Sequence, residues 1–164
     1  MDRDDVAEVM GKPISRELLA SAIPARLAYT GSDGDPRVVP VAFLWNGAAL
    51  VVHTVPTAAK VRALRRNGRV AITIDTQEQW PPRVLLVRGA ARLEDVDAVP
   101  DEYLEASRKV TPAEEVEGWE AGVRGLYEKM VRITIEPDWA KLLDFDTTIP
   151  KAVEDLIHAK TAQG

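Results

Sequence analysis

Apolar residues in this chain recur with two periods. Alternating runs rich in Val, Ile, Thr and aromatics predict strands, and i, i+3, i+4 spacing predicts helices. Ile14 to Ala22 reads as a short helix, with Ser15 as N-cap, Glu17 in the first turn and Pro24 as its stop. Arg26–Thr30 is a short strand, followed by a turn over 31–36 and a second strand over Arg37–Trp45. Pro40 inside that second strand marks an edge, a bulge or a place where something else meets the backbone. Asn46-Gly47 is the strongest hairpin signal, making Ala48–Thr54 the antiparallel partner.

A helix is predicted from about Thr57 to Asn67, with Val61 and Leu64 buried one turn apart and Gly68 as C-cap. Strands follow at Arg69–Asp75 and Arg83–Glu94, where Gly89 marks a bulge or bend. Residues 101–128 read as two helices broken near Thr111-Pro112, with Thr111, Pro112 and Glu114 as N-cap, N1 and N3. Met130–Pro137 alternates as a strand, the segment from Trp139 to Asp146 pairs nearby, and a last helix runs from Pro150 to about Lys160. Strands joined by tight turns, with one short helix between, predict a mainly β chain (α+β): an antiparallel barrel flanked by helices. The whole of 1–164 reads as one domain, with a helical insertion at about 100–128. Alternating βα units, G-x-G-x-x-G and the P-loop pattern are missing.

Composition narrows the options. With no cysteine, a disulfide framework, a thiolate zinc site and a cysteine nucleophile are excluded. The acidic N-terminus has no apolar h-region and no run approaches the ~20 residues that span a bilayer, so a cytoplasmic protein without membrane association is expected. The net charge of -5 and pI near 5.1 speak against nucleic-acid binding. That charge is unevenly spread. From Pro36 to Ile74 there is no Asp or Glu, only Arg37, Lys60, Arg62, Arg65, Arg66 and Arg69. From Glu94 to Glu120 ten acidic residues face two basic ones, the pattern of a solvated helical surface. A basic front segment attracts anions even on an acidic molecule.

The usual catalytic sets are absent. His53 and His158 lie far apart without metal-ligand spacing, and G-x-S-x-G does not occur. A lone His at a strand end, such as His53, is more often structural than catalytic. What stands out is an anion site: hydroxyls of Thr54 and Thr57, the free N–H groups of a helix start, and Lys60 one turn in. Spacing alone leaves an equal alternative, in which Thr57 is merely an N-cap and Lys60 merely solvated.

Taken in order, Asp33-Gly34-x-Pro36, Val39-Pro40-Val41, Asn46-Gly47, His53-Thr54, Thr57-x-x-Lys60, Arg69-Val70 and Val87-x-Gly89-x-Ala91 resemble the pyridoxamine 5′-phosphate oxidase-like superfamily of flavin and deazaflavin split β-barrels. The likeness covers roughly Ala25 to Leu93. It implies a homodimer with cofactor sites at the subunit interface, binding FMN or the deazaflavin coenzyme F-420 and acting on a small organic molecule. By that match Thr54, Thr57 and Lys60 hold the cofactor phosphate, His53 counts among the cofactor-binding residues, and Arg62 points toward an anionic cofactor tail. Backbone at Val39, Pro40 and Val41 faces the ring. Gln79 and Trp80 of the partner chain cover it; Trp139 is a weaker candidate, better suited to packing. The chain departs from true pyridoxamine phosphate oxidases in lacking their Arg-x-Val-Leu-Leu-Lys strand, Arg37 being displaced, and their C-terminal Arg-rich motif. Vitamin B6 oxidation is therefore not expected. The functions implied are a hydride-transferring oxidoreductase or, alternatively, a flavin or tetrapyrrole carrier without turnover.

Overall fold

The computed structural model describes residues 1–162. It begins with a helix, α1 (Arg3–Gly11), where only an acidic terminus was read from the sequence. Asp2 and Asp5 cap its start reciprocally: Asp5 N–H donates to Asp2 at 2.8 Å and Asp2 N–H to Asp5 at 3.2 Å. Val6 and Met10, one turn apart, are its buried pair. The second helix, α2 (Pro13–Ala20), starts earlier than Ser15. Pro13 takes the first position, where its fixed φ suits the helix and its missing N–H costs nothing. Ser15 is thus inside the helix and fully buried, not its cap.

Seven strands form one antiparallel sheet: β1 (Ala25–Thr30), β2 (Pro36–Val41), β3 (Leu44–Trp45), β4 (Leu50–Thr54), β5 (Arg69–Asp75), β6 (Val84–Asp97) and β7 (Lys129–Leu143), in the order β2-β1-β5-β6-β7-β4-β3. This is a split β-barrel, coiled around Leu27, Phe43, Leu50, Val52, Ile72, Ile74, Leu85, Val87, Ile133 and Ile135. The expected Arg37–Trp45 strand is two strands, because the chain breaks at Ala42-Phe43. β2 pairs with β1, not with the hairpin partner, and only Leu44 and Trp45 pair with β4. Pro40 stands on the edge strand, where a residue without an N–H is tolerated. The Asn46-Gly47 turn holds as read. Gly47 takes φ +93°, and the Asn46 side chain accepts the N–H groups of Ala48 and Ala49 at 3.0 and 2.8 Å.

Segments expected as separate strands merge in β7, which pairs with β6 over its whole length. A bulge between Arg88 and Gly89 absorbs the bend. A Cβ on Gly89 would sit 2.3 Å from the Glu136 carbonyl oxygen, so only glycine fits this crossing.

Residues 101–126 form the insertion: α4 (Asp101–Arg108), a 3-10 turn (Ala113–Glu115) and α5 (Val116–Leu126). Thr111 does not cap the second piece. Its hydroxyl donates backwards to the Ser107 carbonyl at 2.8 Å, leaving Pro112 at the cap position. A second apolar cluster of Val99, Leu104, Val123 and Met130 joins the insertion to the barrel. Lys109 fastens its far side: the ammonium donates to the Leu19 and Phe43 carbonyls at 3.0 and 3.2 Å and lies 4.0 Å from the centre of the Phe43 ring. The helix α3 (Ala59–Arg66) packs on β1 and β6 through Val61, Ala63 and Leu64, and α6 (Lys151–Thr161) closes the described chain with no buried residue. Among the described residues no helix is long and apolar enough to cross a membrane.

Two glycine substitutions separate constrained from free positions. Gly89→Ala should cost about 2–3 kcal/mol by clash with Glu136. Gly122→Ala, with open space in α5, should gain up to about 1 kcal/mol. Urea denaturation checks both.

Candidate functional site

β4 ends at Thr54, and α3 begins five residues later. Strand alternation puts Thr54 on the same face as Leu50 and Val52 and sends His53 to the other. Lys60, in the first turn of α3, reaches back, its Nζ donating to Thr54 Oγ1 at 3.3 Å. No side chain caps α3, whose N-cap residue is Ala58 and not Thr57. The first-turn N–H groups therefore lack a side-chain acceptor at a helix end that carries partial positive charge. Thr57 is exposed in the turn that leads in. Among the described residues no carboxylate pairs with Lys60, although its side chain is half-buried, and burial pushes its ammonium below the ordinary lysine range. A cation taken partly out of water without an anion is unfavourable by itself.

Arg62, Arg65 and Arg66 line the outer side of α3 with Pro56, Val61 and Asp95 along a groove of about 430 Å³. Arg62 donates to the Ser32 hydroxyl at 3.3 Å and Arg66 to the Ser32 carbonyl at 3.1 Å, tying α3 to the β1–β2 turn. Arg65 pairs with Asp95 at 2.8 Å.

The structure brings together some of the expected residues and separates others. Val39 and Val41 of β2 are turned to the core and Pro40 outward. His53 does not join the anion cluster. Its side chain is 1% exposed, sealed beneath α4. The Tyr103 ring stands edge-on to it, centroids 6.1 Å apart. Neither ring nitrogen has a hydrogen-bond partner, and Glu102 Oε2 lies 3.6 Å from Nε2. Glu102 is held by Arg132 at 2.7 and 3.0 Å. Desolvation pushes the imidazole below its ordinary pKa, as does the charge of Arg132, against an upward pull from Glu102.

Gln79 and Trp80 are exposed in the β5–β6 loop, Trp80 at 90%. In register, Thr54 meets Val131, which meets Asp95, whereas the loop ends beside Val84. Eleven residues of β6, about 35 Å of strand, separate the two. Within one protomer the loop and the anion cluster occupy opposite ends of β6. Arg37 pairs with Asp33 in the β1–β2 turn, away from the strand position where a phosphate-binding arginine was missed.

At the β2–β1–β5 end the outer face of the sheet is open. Arg26, Ala28, Val38, Ala71, Thr73 and Val84 line an open hollow of about 400 Å³ on it. Trp139 lies on this face, its ring 4.3 Å from the Arg88 guanidinium carbon. Sequence reading missed the Glu102–Arg132 pair and the Lys109 anchor, since no spacing rule links residues on separate elements.

The chain belongs to the pyridoxamine 5′-phosphate oxidase family, whose model matches residues 13–136. No curated protein matches it in sequence. Among solved structures it is similar to an F420 reductase, at 24% identity over 77% of this chain and 94% of that one, with TM-score 0.59. It is similar to General Stress Protein 26 from Bacillus anthracis, at 18% identity over 82% and 95%, TM-score 0.58. The heme storage protein HutZ from Vibrio cholerae is similar at 19% identity over 80% and 92%, TM-score 0.57. These likenesses establish a shared fold.

If Lys60 is an unpaired cation kept for a ligand, Lys60→Met should leave stability unchanged or raise it by up to about 1 kcal/mol. Thermal and urea denaturation of the ligand-free protein measure this.

Proposed function

We propose that this chain is a homodimeric oxidoreductase that binds a phosphate-bearing flavin-type cofactor, FMN or F-420, and moves hydride to or from a small organic molecule. The observation that carries the reading is the half-buried, carboxylate-free ammonium of Lys60 beside the Thr54 hydroxyl and the uncapped start of α3. These groups fit a phosphate: one full positive charge, one hydroxyl donor and backbone N–H groups at a helix terminus. Thr57, exposed in the same turn, supplies a second hydroxyl at the rim. Family membership supports the assignment, and the F420 reductase shares the fold. The arginines of α3 extend positive charge outward, the direction an anionic cofactor tail would follow.

The cofactor, when bound, supplies the hydride chemistry. The chain binds and orients it. Lys60 neutralises phosphate charge, the Val39–Val41 backbone lines the ring, and Trp80 shields the ring of a second copy. The open hollow on the outer face and the distance of Trp80 from its own anion cluster support the dimer. No side chain is assigned as general acid or base: the imidazole of His53 is sealed under α4, so the proton comes from solvent. Vitamin B6 oxidation is not proposed, because Arg37 is engaged by Asp33 in the turn. The same absence of an acid or base favours, as the second reading, a carrier without turnover. HutZ, a heme storage protein, shares this fold.

Two predictions follow the two halves of the proposal. Lys60→Ala should weaken binding of FMN or F-420 by ~1.5–3 kcal/mol, about 10- to 150-fold, while riboflavin, which lacks the phosphate, should bind equally to both proteins. Equal loss at Arg66→Ala with none at Lys60→Ala would place the phosphate elsewhere. Val38→Glu in the open hollow, a position 65% exposed, should shift sedimentation from dimer to monomer and lower cofactor affinity with it. An unchanged sedimentation coefficient would count against that face as the interface.

A further inference from the structure

His53 is the one buried histidine, and it sits where the insertion meets the barrel. Its ring lies on the face of β4 away from the anion cluster, and the groups around it come from four elements. From α4 come Glu102, whose carboxylate is 3.6 Å from Nε2, and Tyr103. β7 contributes Arg132, paired with His53 in the strand register, and Thr134, whose hydroxyl accepts from Arg132 at 2.6 Å. Trp119 of α5 packs on Tyr103 with ring centroids 5.7 Å apart. Glu94 of β6 stands opposite Arg132.

A neutral imidazole is tolerated here: a ring packed against a ring, with its two nitrogens unpaired. A charged one is not. The site already holds one cation, Arg132, whose guanidinium takes both oxygens of Glu102. A second cation 3.6 Å from that carboxylate must share it with Arg132, and the His53 ring, 1% exposed, has no water to make up for an imperfect pairing. Solvent is reached by lifting α4 from β4, because the groups that cover the ring, Glu102 and Tyr103, both belong to α4.

We propose that His53 is an acid-sensitive latch for the α4–α5 cap: a neutral imidazole keeps the cap seated on the barrel, and protonation releases it. The sign agrees with the environment. A histidine whose pKa is depressed by folding binds its proton more readily when the cap is open, so seating is strongest above about pH 6.5 and weakens below it. Release would also reach the neighbouring Thr54, because His53 and Thr54 are consecutive on β4. The latch requires neither cofactor nor turnover, so it stands or falls apart from the proposed activity.

Hydrogen–deuterium exchange on the full chain, corrected for intrinsic rates, tests it between pH 7.5 and 5.5. Amides of 101–126 should lose protection as pH falls below about 6.5, by no more than about tenfold per pH unit, the limit for one proton. Those of β5 and β6 up to Ala91 should hold. In His53→Leu the loss should vanish, whereas His158→Gln should keep it. Flat protection in the wild type, or an equal loss in His53→Leu, overturns the latch. If His53→Leu does not fold, the imidazole C–H signal of His53 in His158→Gln decides. A midpoint below about 6.5 that coincides with loss of cap protection is the expected result; a midpoint at or above it contradicts the proposal.

Discussion

An ammonium group held half out of water without an anion is the constraint from which the functional reading follows. Lys60 extends from the first turn of α3 to the Thr54 hydroxyl, where no carboxylate of the described residues meets it. Several other cations are compensated within the chain. Arg65 has Asp95, Arg132 has Glu102, and Lys109, itself buried, is satisfied by two carbonyl oxygens and an aromatic face. Lys60 has no carboxylate partner among the described residues, and the proposed function rests on that contrast. A helix start without a side-chain cap stands beside it, a combination suited to an anion that accepts several hydrogen bonds at once.

The barrel exists to hold that arrangement. Thr54 is placed by β4, β4 by its ladder with β7, and β7 by fourteen paired positions along β6 that only the Gly89 bulge allows to bend. The insertion is the second dependency. It is pinned at two points, Glu102 on Arg132 and Lys109 on the α2 and β2–β3 carbonyls, with His53 under the first. Through consecutive residues of one strand, the packing beneath α4 and the anion cluster share a backbone.

Much of this fold was legible in the chain. The Asn46-Gly47 turn, the α3 stripe of Val61 and Leu64, the Gly89 irregularity and the alternation of β5 and β7 are local signals, and the structure bears them out. What failed was the part decided by competition between partners. Residues 37–45 look like one strand by composition, but Ala42-Phe43 breaks it and the pairing preference of β2 goes to β1. Thr111 and Ser15 carry cap chemistry, yet prolines at 112 and 13 set where the helices begin. At the site, Thr54 and Lys60 were legible because six residues across a strand–helix junction are a local distance. His53 was misplaced by the same adjacency: neighbouring residues on a strand face opposite ways, and the sequence does not say that a helix fifty residues later covers one of them. Arg132 and Glu102 carried no signal, being ordinary charges until the fold joins them.

The most direct measurement is the side-chain NMR titration of Lys60, followed with the free protein, with FMN and with riboflavin. If the ammonium is the seat of a phosphate, its pKa begins below the usual lysine value, rises when FMN is added and does not move with riboflavin. A Lys60 signal that titrates identically in all three samples, while FMN is demonstrably bound, would contradict the account.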